Sequence, residues 1–298
     1  MAQARLRSSF IYLANAVNDL RGNWIIVAVV LAPLALGSAL CLLPDALNIQ
    51  YSLVRTFEPG VTSVAFETPV QVPYAPVPRA APKPLFPTWM TTILHLLDGF
   101  ITLVGVNLIV LCALRRMQAG LRMARPIDEG IAVYREASRL LGSFVWVSVL
   151  QVLAIAVGTM LLVVPGGLAY VWLYFSQYAL IFDGRRGWAA LLYSRDLMRG
   201  SFFRVALRIV VFLAVWSGFN SWAGGIFFAV SLLAGWVGLI TGALWVSIFL
   251  VDLLAVAVLY ATLAFLLAAA LRLYQDMGAI AAEQTALIPT APLPSVSA

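Results

Sequence analysis

Residues 143–182 read SFVWVSVLQVLAIAVGTMLLVVPGGLAYVWLYFSQYALIF, a run without a single charge. A membrane-crossing helix needs about 20 apolar residues, so the run has the length of two. Pro165-Gly166-Gly167 supplies a turn between them. The reading is a hairpin, spans three and four. Outward from it lie Trp89–Leu114 and Trp24–Leu43 on one side and, on the other, Val205–Leu271, interrupted only by Arg208 and Asp252. Only 11% of the 298 residues are charged and 62% are hydrophobic, too few charges to cover a water-soluble body of this size. The sequence predicts an all-α, polytopic integral membrane protein.

Val205–Leu271 exceeds two ideal spans by roughly one more. A break at Asn220–Gly225, with Ile226–Thr241 tilted or re-entrant, gives six transmembrane helices; a seventh span is the other solution. Charge favours the even count. Arg5, Arg7, Arg21, the six arginines from Arg115 to Arg139, the six from Arg185 to Arg208, and Arg272 fall on one side, and Arg55, Arg79 and Lys83 on the other. The positive-inside rule then makes both termini cytoplasmic. The net charge of +6 is explained by cationic loops beside an anionic leaflet, with the bilayer and its anionic headgroups as partners and no nucleic acid.

Four segments follow: 1–43, an interfacial helix and the first span; 44–88, an external loop; 89–278, five further spans with cytoplasmic amphipathic helices; and 279–298, a disordered cytoplasmic tail. Prolines 69, 73, 76, 78, 82, 84 and 87 make the end of the outer loop a stiff, extended spacer. Val61–Glu67 before them has some β character. Cys41 and Cys112 lie near opposite ends of the first two spans, so no disulfide is expected.

A short pattern recurs at the start of each odd-numbered span. Leu20–Val27 (LRGNWIIV), Leu140–Val147 (LLGSFVWV) and Met198–Val205 (MRGSFFRV) share Gly, a small polar residue, an aromatic and a later Val. An amphipathic stretch precedes each copy, as in Ile131–Leu141. The expectation is three units, each an interfacial helix followed by a hairpin; a generic preference for such residues at membrane entry is the simpler alternative.

Charged residues at membrane depth are functional candidates. His95 and Asp98 share a helical face three residues apart, and Asp252 sits at a matching distance along another inward-running helix. They are intramembrane polar or ligand candidates: either a proton- or cation-handling cluster, or hydrogen-bonded glue between helices. One histidine and two distant cysteines exclude a Cys/His zinc site. No nucleotide-binding or hydrolase motif occurs, and the residues around Asp98 and Asp252 do not match those of intramembrane aspartyl proteases. No metal, cofactor or catalytic constellation is expected.

Tyr178–Gly184 (YALIFDG), Ala189-Ala190-Leu191 and Tyr193–Val205 (YSRDLMRGSFFRV), followed late in the chain by Leu273-Tyr274-Gln275-Asp276, resemble the bacterial six-span membrane domain fused to some glycerophosphoryl diester phosphodiesterases, and its uncharacterised stand-alone relatives. The resemblance implies a bacterial inner-membrane module without phosphodiester hydrolysis, because no catalytic barrel is present. It directs attention to Ser194, Arg195, Arg199, Gly200 and Arg204 as cytoplasmic docking or lipid-headgroup candidates. Arg195 and Arg199 are expected on one helix face, with Gly200 ending that helix. The leading functional expectation is a non-enzymatic membrane scaffold or accessory subunit with a protein partner or a second copy. The alternative is a transporter or lipid-handling protein using the His95/Asp98/Asp252 level.

Overall fold

The computed structural model describes residues 6–56, 84–119 and 126–286. Val61–Glu67, the prolines from 69 to 82 and the end of the tail lie outside them. Every regular element among the described residues is helical: α1 (Ser9–Gly22), α2 (Trp24–Thr56), α3 (Thr88–Phe100), a π-helical segment (Ile101–Val106), α4 (Asn107–Gln118), α5 (Pro126–Leu161), α6 (Val163–Leu173), α7 (Ser176–Phe182), α8 (Trp188–Met198), α9 (Phe202–Thr241) and α10 (Leu244–Ala286). Five helical stretches have the length and apolarity to cross a membrane: Trp24–Ser52, Thr88–Gln118, Pro126–Leu161, Phe202–Thr241 and Leu244–Glu283. The chain is therefore an all-helical protein of multi-pass membrane character.

Several expected boundaries move, for physical reasons. Helix α2 continues past Leu43 to Thr56 with Pro33 and Pro44 inside it. A proline removes one helical hydrogen bond without ending a helix whose other bonds are intact. The Val30 carbonyl, three residues before Pro33, accepts a bond from the Tyr134 hydroxyl at 2.7 Å. The tail, expected to be disordered from 279, is helical to Ala286, in keeping with the high helix propensity of its alanines. No break occurs at Asn220–Gly225. Helix α9 runs through them, and Asn220 Nδ2 folds back onto the Trp216 carbonyl at 2.8 Å instead of opening the chain.

The repeated pattern behaves differently at its three positions. The first copy separates α1 from α2 at Asn23, and the third separates α8 from α9 at Arg199–Ser201, where Gly200 has φ +85°. That left-handed value suits glycine alone among common residues. The middle copy makes no turn: Ile131–Leu141 is not a separate interfacial helix but part of α5. Val133, Ala137, Phe144 and Val147 are all buried. Their helical spacing continues across Gly142, so only an unbroken helix buries them together.

The expected fourth span is two short helices, α6 and α7, offset at Tyr174–Phe175. Helix α5 turns into α6 at the extended residue Leu162. The arms touch closely there: a Cβ on Gly158 would lie 3.0 Å from the Gly166 Cα.

The chain divides into two compact units. The first comprises residues 1–32, 103–221 and 259–298. Its core holds Tyr12, Leu108, Leu111, Phe144, Phe175, Tyr178, Met198, Ile209, Phe212 and Leu271, all essentially inaccessible. The second comprises 33–102 and 222–258. Within it Gln50 Oε1 accepts from the Trp245 N–H at 2.8 Å and Asn48 Oδ1 accepts from the Phe86 N–H at 2.9 Å. The α9–α10 turn uses Gly242 at φ +71°.

Candidate functional site

In the second unit, α2 and α3 bring two polar pairs together. Ser38, 1% exposed, donates its hydroxyl to the Asp98 carboxylate. His95 Nε2 lies 2.9 Å from Asp45 Oδ2, both side chains about half exposed. Asp252 on α10 makes no hydrogen bond or ion pair with His95 or Asp98 among the described residues. It lies within electrostatic reach of Asp45. The expected meeting of Asp98 with Asp252 is therefore replaced by Ser38–Asp98 and Asp45–His95. The sequence misses Asp45, which falls in the expected external loop 44–88.

A buried hydroxyl without an acceptor loses its hydration uncompensated. Asp98→Asn keeps an acceptor for Ser38 and should leave stability close to wild type, whereas Asp98→Leu orphans Ser38 and should cost about 1–3 kcal/mol. Unfolding in detergent distinguishes the two. Equal midpoints for both variants would remove Ser38–Asp98 from the list of fold-holding contacts.

In the first unit a polar group joins α7, α8 and α10. Tyr274 on α10 donates to the Asp183 carboxylate just after α7, and Tyr193 on α8 shares the same hydrogen-bonded group. The Arg185 guanidinium stacks 3.9 Å above the Tyr193 ring. Burial, and then the nearby Asp183 carboxylate, push the Tyr193 phenol up, against the opposing pull of Arg185. The segments Tyr178–Gly184 and Leu273–Asp276 thus meet in space. Tyr178 adds a second tie, donating to the Leu267 carbonyl at 3.2 Å.

The N-terminal helix docks on another face of the same stretch of α10. Tyr12 donates to Asp276 Oδ2 at 2.8 Å, and Asp19 accepts two bonds from Arg272 at 2.7 and 2.8 Å. Burial foremost, and the bond to Asp276, push the Tyr12 phenol up to about 12. Arg272 and Asp19, with Asn23, Gln118 and Leu271, line a cavity of about 120 Å³. Arg208, the charge inside the apolar run of α9, donates to the backbone carbonyls of Arg7 and Leu6. Arg115 pairs with Glu136 at 3.2 Å, and Arg116 with Glu129 at 3.0 Å, joining α4 to α5. Several arginines that set the sidedness of the sequence are therefore also internal ties.

The five docking candidates separate into distinct roles. Ser194 is fully buried. It accepts the Phe175 N–H at 3.2 Å and donates to the Trp172 carbonyl at 2.7 Å, closing the backbone gap between α6 and α7. Arg195 is exposed and pairs with its neighbour Asp196 at 3.1 Å. Arg199 does not share its face, because α8 ends at Met198 and Arg199 is already extended. Gly200 forms the turn described above. Arg204 is exposed, within reach of Ser201 at 3.4 Å. Arg199 and Arg204 thus remain available at the surface, whereas Ser194 belongs to the interior.

Comparison with known proteins finds no match to a family model, a curated protein or a solved structure. What the chain can do is read from its own geometry.

Proposed function

We propose that the protein is a non-enzymatic membrane scaffold or accessory subunit of the bacterial inner membrane, with both termini cytoplasmic and six membrane-inserted segments: α2, α3–α4, α5, α6–α7, α9 and α10. The observation that carries this reading is the exposed apolar length of α9. Its 40 residues have a contour of about 60 Å at 1.5 Å per residue. Large apolar side chains are exposed along all of it, from Phe203 (85%) to Ile240 (82%), including Trp222 and Trp236.

A bilayer core is about 30 Å thick. Helix tilts average about 20° and reach about 40°, at which an uninterrupted α9 would still project roughly 46 Å along the membrane normal. Lipid tails cover only part of that surface, and the remaining tryptophans and aliphatics call for protein. A partner subunit or a second copy of the chain meets the requirement. Exposed Arg199 and Arg204 add a surface for anionic headgroups on the cytoplasmic face.

The polar clusters support the same reading over the transporter alternative. Ser38–Asp98 and Asp45–His95 are local pairs between α2 and α3, which suits helix-to-helix glue. Purification in mild detergent should yield a stoichiometric assembly. Trp236→Glu should weaken association by about tenfold or more while leaving the melting temperature of the isolated chain unchanged. A wild-type monomer carrying only lipid would overturn the scaffold reading and return attention to the polar level.

A further inference from the structure

Helices α5 and α6 form a hairpin whose tip has a composition unlike that of a loop in water. Met160, Leu161, Leu162, Val163 and Val164 are between 69% and 87% exposed, five consecutive aliphatic side chains without a polar or aromatic residue among them. Loops that emerge at a membrane surface carry polar groups, and Trp and Tyr mark the interface. This tip has neither.

The extended residue of its backbone is hydrogen-bonded on both sides. At the turn, the Leu162 N–H donates to the Gly158 carbonyl at 3.1 Å, and the Leu162 carbonyl accepts from the Gly166 N–H at 3.3 Å. Pro165 brings no N–H to satisfy. Non-helical backbone in hydrocarbon is ruled out by unsatisfied polar groups, and the groups of the extended residue are satisfied here.

The base of the hairpin is polar and charged. Trp146 on α5 packs its indole beside Gly187, where a Cβ would lie 3.5 Å from Nε1, and that loop carries Asp183, Arg185 and Arg186. On α6, the Trp172 carbonyl is held by Ser194 of α8. Gln151 and Ser148 of α5 bond to Ser176 and Gln177 of α7, each at 3.2 Å. From Trp146, which lies beside the charged loop, to Leu161 the rise is about 22 Å. With the charged loop among the headgroups, the tip stops short of the far side of a core about 30 Å thick.

We propose that the α5–α6 hairpin is a re-entrant insert that enters and leaves by the cytoplasmic face, with Met160–Val164 solvated by lipid acyl chains inside the bilayer. The partner of this surface is lipid hydrocarbon. Of the six inserted segments, two therefore do not cross, and the parity that keeps both termini on one side is preserved. The inference rests on the membrane character of the chain and not on the existence of a protein partner.

The test uses the full-length protein with Cys41 and Cys112 replaced by alanine, carrying Leu162→Cys or, separately, Val163→Cys. Each is nitroxide-labelled in detergent and reconstituted alone into phosphatidylcholine/phosphatidylglycerol vesicles. Both positions are exposed, and an unchanged melting temperature verifies folding. Collision with dissolved oxygen should exceed collision with a water-soluble nickel chelate by about tenfold, as expected for an acyl-chain environment. A label at Trp188→Cys provides the interfacial reference. Nickel access equal to oxygen access would place the tip in water and outside the acyl chains. Protection from both would show the tip packed against protein. Either result overturns the proposal, and neither depends on whether a partner subunit is found.

Discussion

Gly166→Ala should destabilise the protein by about 3 kcal/mol, the upper range for overpacking a tight contact, while Gly167→Ala beside it should be neutral or stabilising. A Cβ on Gly166 would lie 2.1 Å from Thr159 Oγ1 and 2.9 Å from both the Cα and the N of Thr159, whereas one on Gly167 meets nothing within 4 Å. At Gly167 the gain in helix propensity, up to about 1 kcal/mol, stands alone. Removing the threonine hydroxyl does not solve the problem at Gly166, because two of the colliding atoms are backbone. The double variant Thr159→Ala/Gly166→Ala should therefore remain less stable than Thr159→Ala. Helix α5 has little freedom to retreat while Gln151 and Ser148 hold Ser176 and Gln177 of α7. Denaturant or thermal unfolding in detergent gives the comparison. Indistinguishable midpoints for the two glycine variants would mean that the hairpin arms are not in backbone contact.

The same hairpin shows what a sequence can and cannot disclose. The uncharged run from Ser143 to Phe182 reveals membrane insertion, and Pro165-Gly166-Gly167 marks the reversal to within a few residues of Leu162. The offset at Tyr174–Phe175 was invisible, because its cause is tertiary. A serine nineteen residues later supplies the missing donor and acceptor, and nothing in the local sequence records that. Likewise Gly142-Ser143 looks like Gly22-Asn23 and Gly200-Ser201, yet the buried stripe through Val133, Ala137, Phe144 and Val147 keeps α5 straight through it. Local turn chemistry is permissive; burial decides whether it is used.

Polar pairing follows the same division. His95, Asp98 and Asp252 were legible as candidates because charges in apolar helices are rare. Their partners were not, because hydropathy places a residue along a helix without fixing its rotation about the axis. Asp45 falls in the expected external loop 44–88, although α2 carries it on to face His95. In the first unit, Tyr178–Gly184 and Leu273–Asp276, far apart in sequence, meet through Tyr274 and Asp183, a contact that no local pattern records.

Ser194→Val should be among the most damaging single changes on α8, costing about 2–6 kcal/mol, whereas Arg195→Ala next to it should change stability by less than about 1 kcal/mol. Valine removes the hydroxyl and adds a methyl at a fully buried site, so Ser194→Ala is the variant that isolates the hydroxyl. That hydroxyl accepts the Phe175 N–H and donates to the Trp172 carbonyl, both at the junction where α6 stops and α7 has not begun. Backbone groups at such a junction have no helical partner. Phe175 and Ser194 are fully buried, so water does not replace the bond lost at the Phe175 N–H. Two orphaned backbone groups, at about 1–3 kcal/mol each, set the expected range. Arg195 instead is exposed, and its pairing with Asp196 is screened by solvent. Ser194→Thr retains the hydroxyl and should recover part of the loss if the added methyl fits. Ser194→Ala should behave like Ser194→Val. If Ser194→Val unfolds at the same midpoint as Arg195→Ala, the α6–α7 junction is held by packing of the surrounding aromatics and not by the serine. The aromatic side chains involved would then be Phe175 with Tyr174, Tyr178 and Tyr274, whose ring centroids lie 5.2, 5.6 and 5.5 Å from its own.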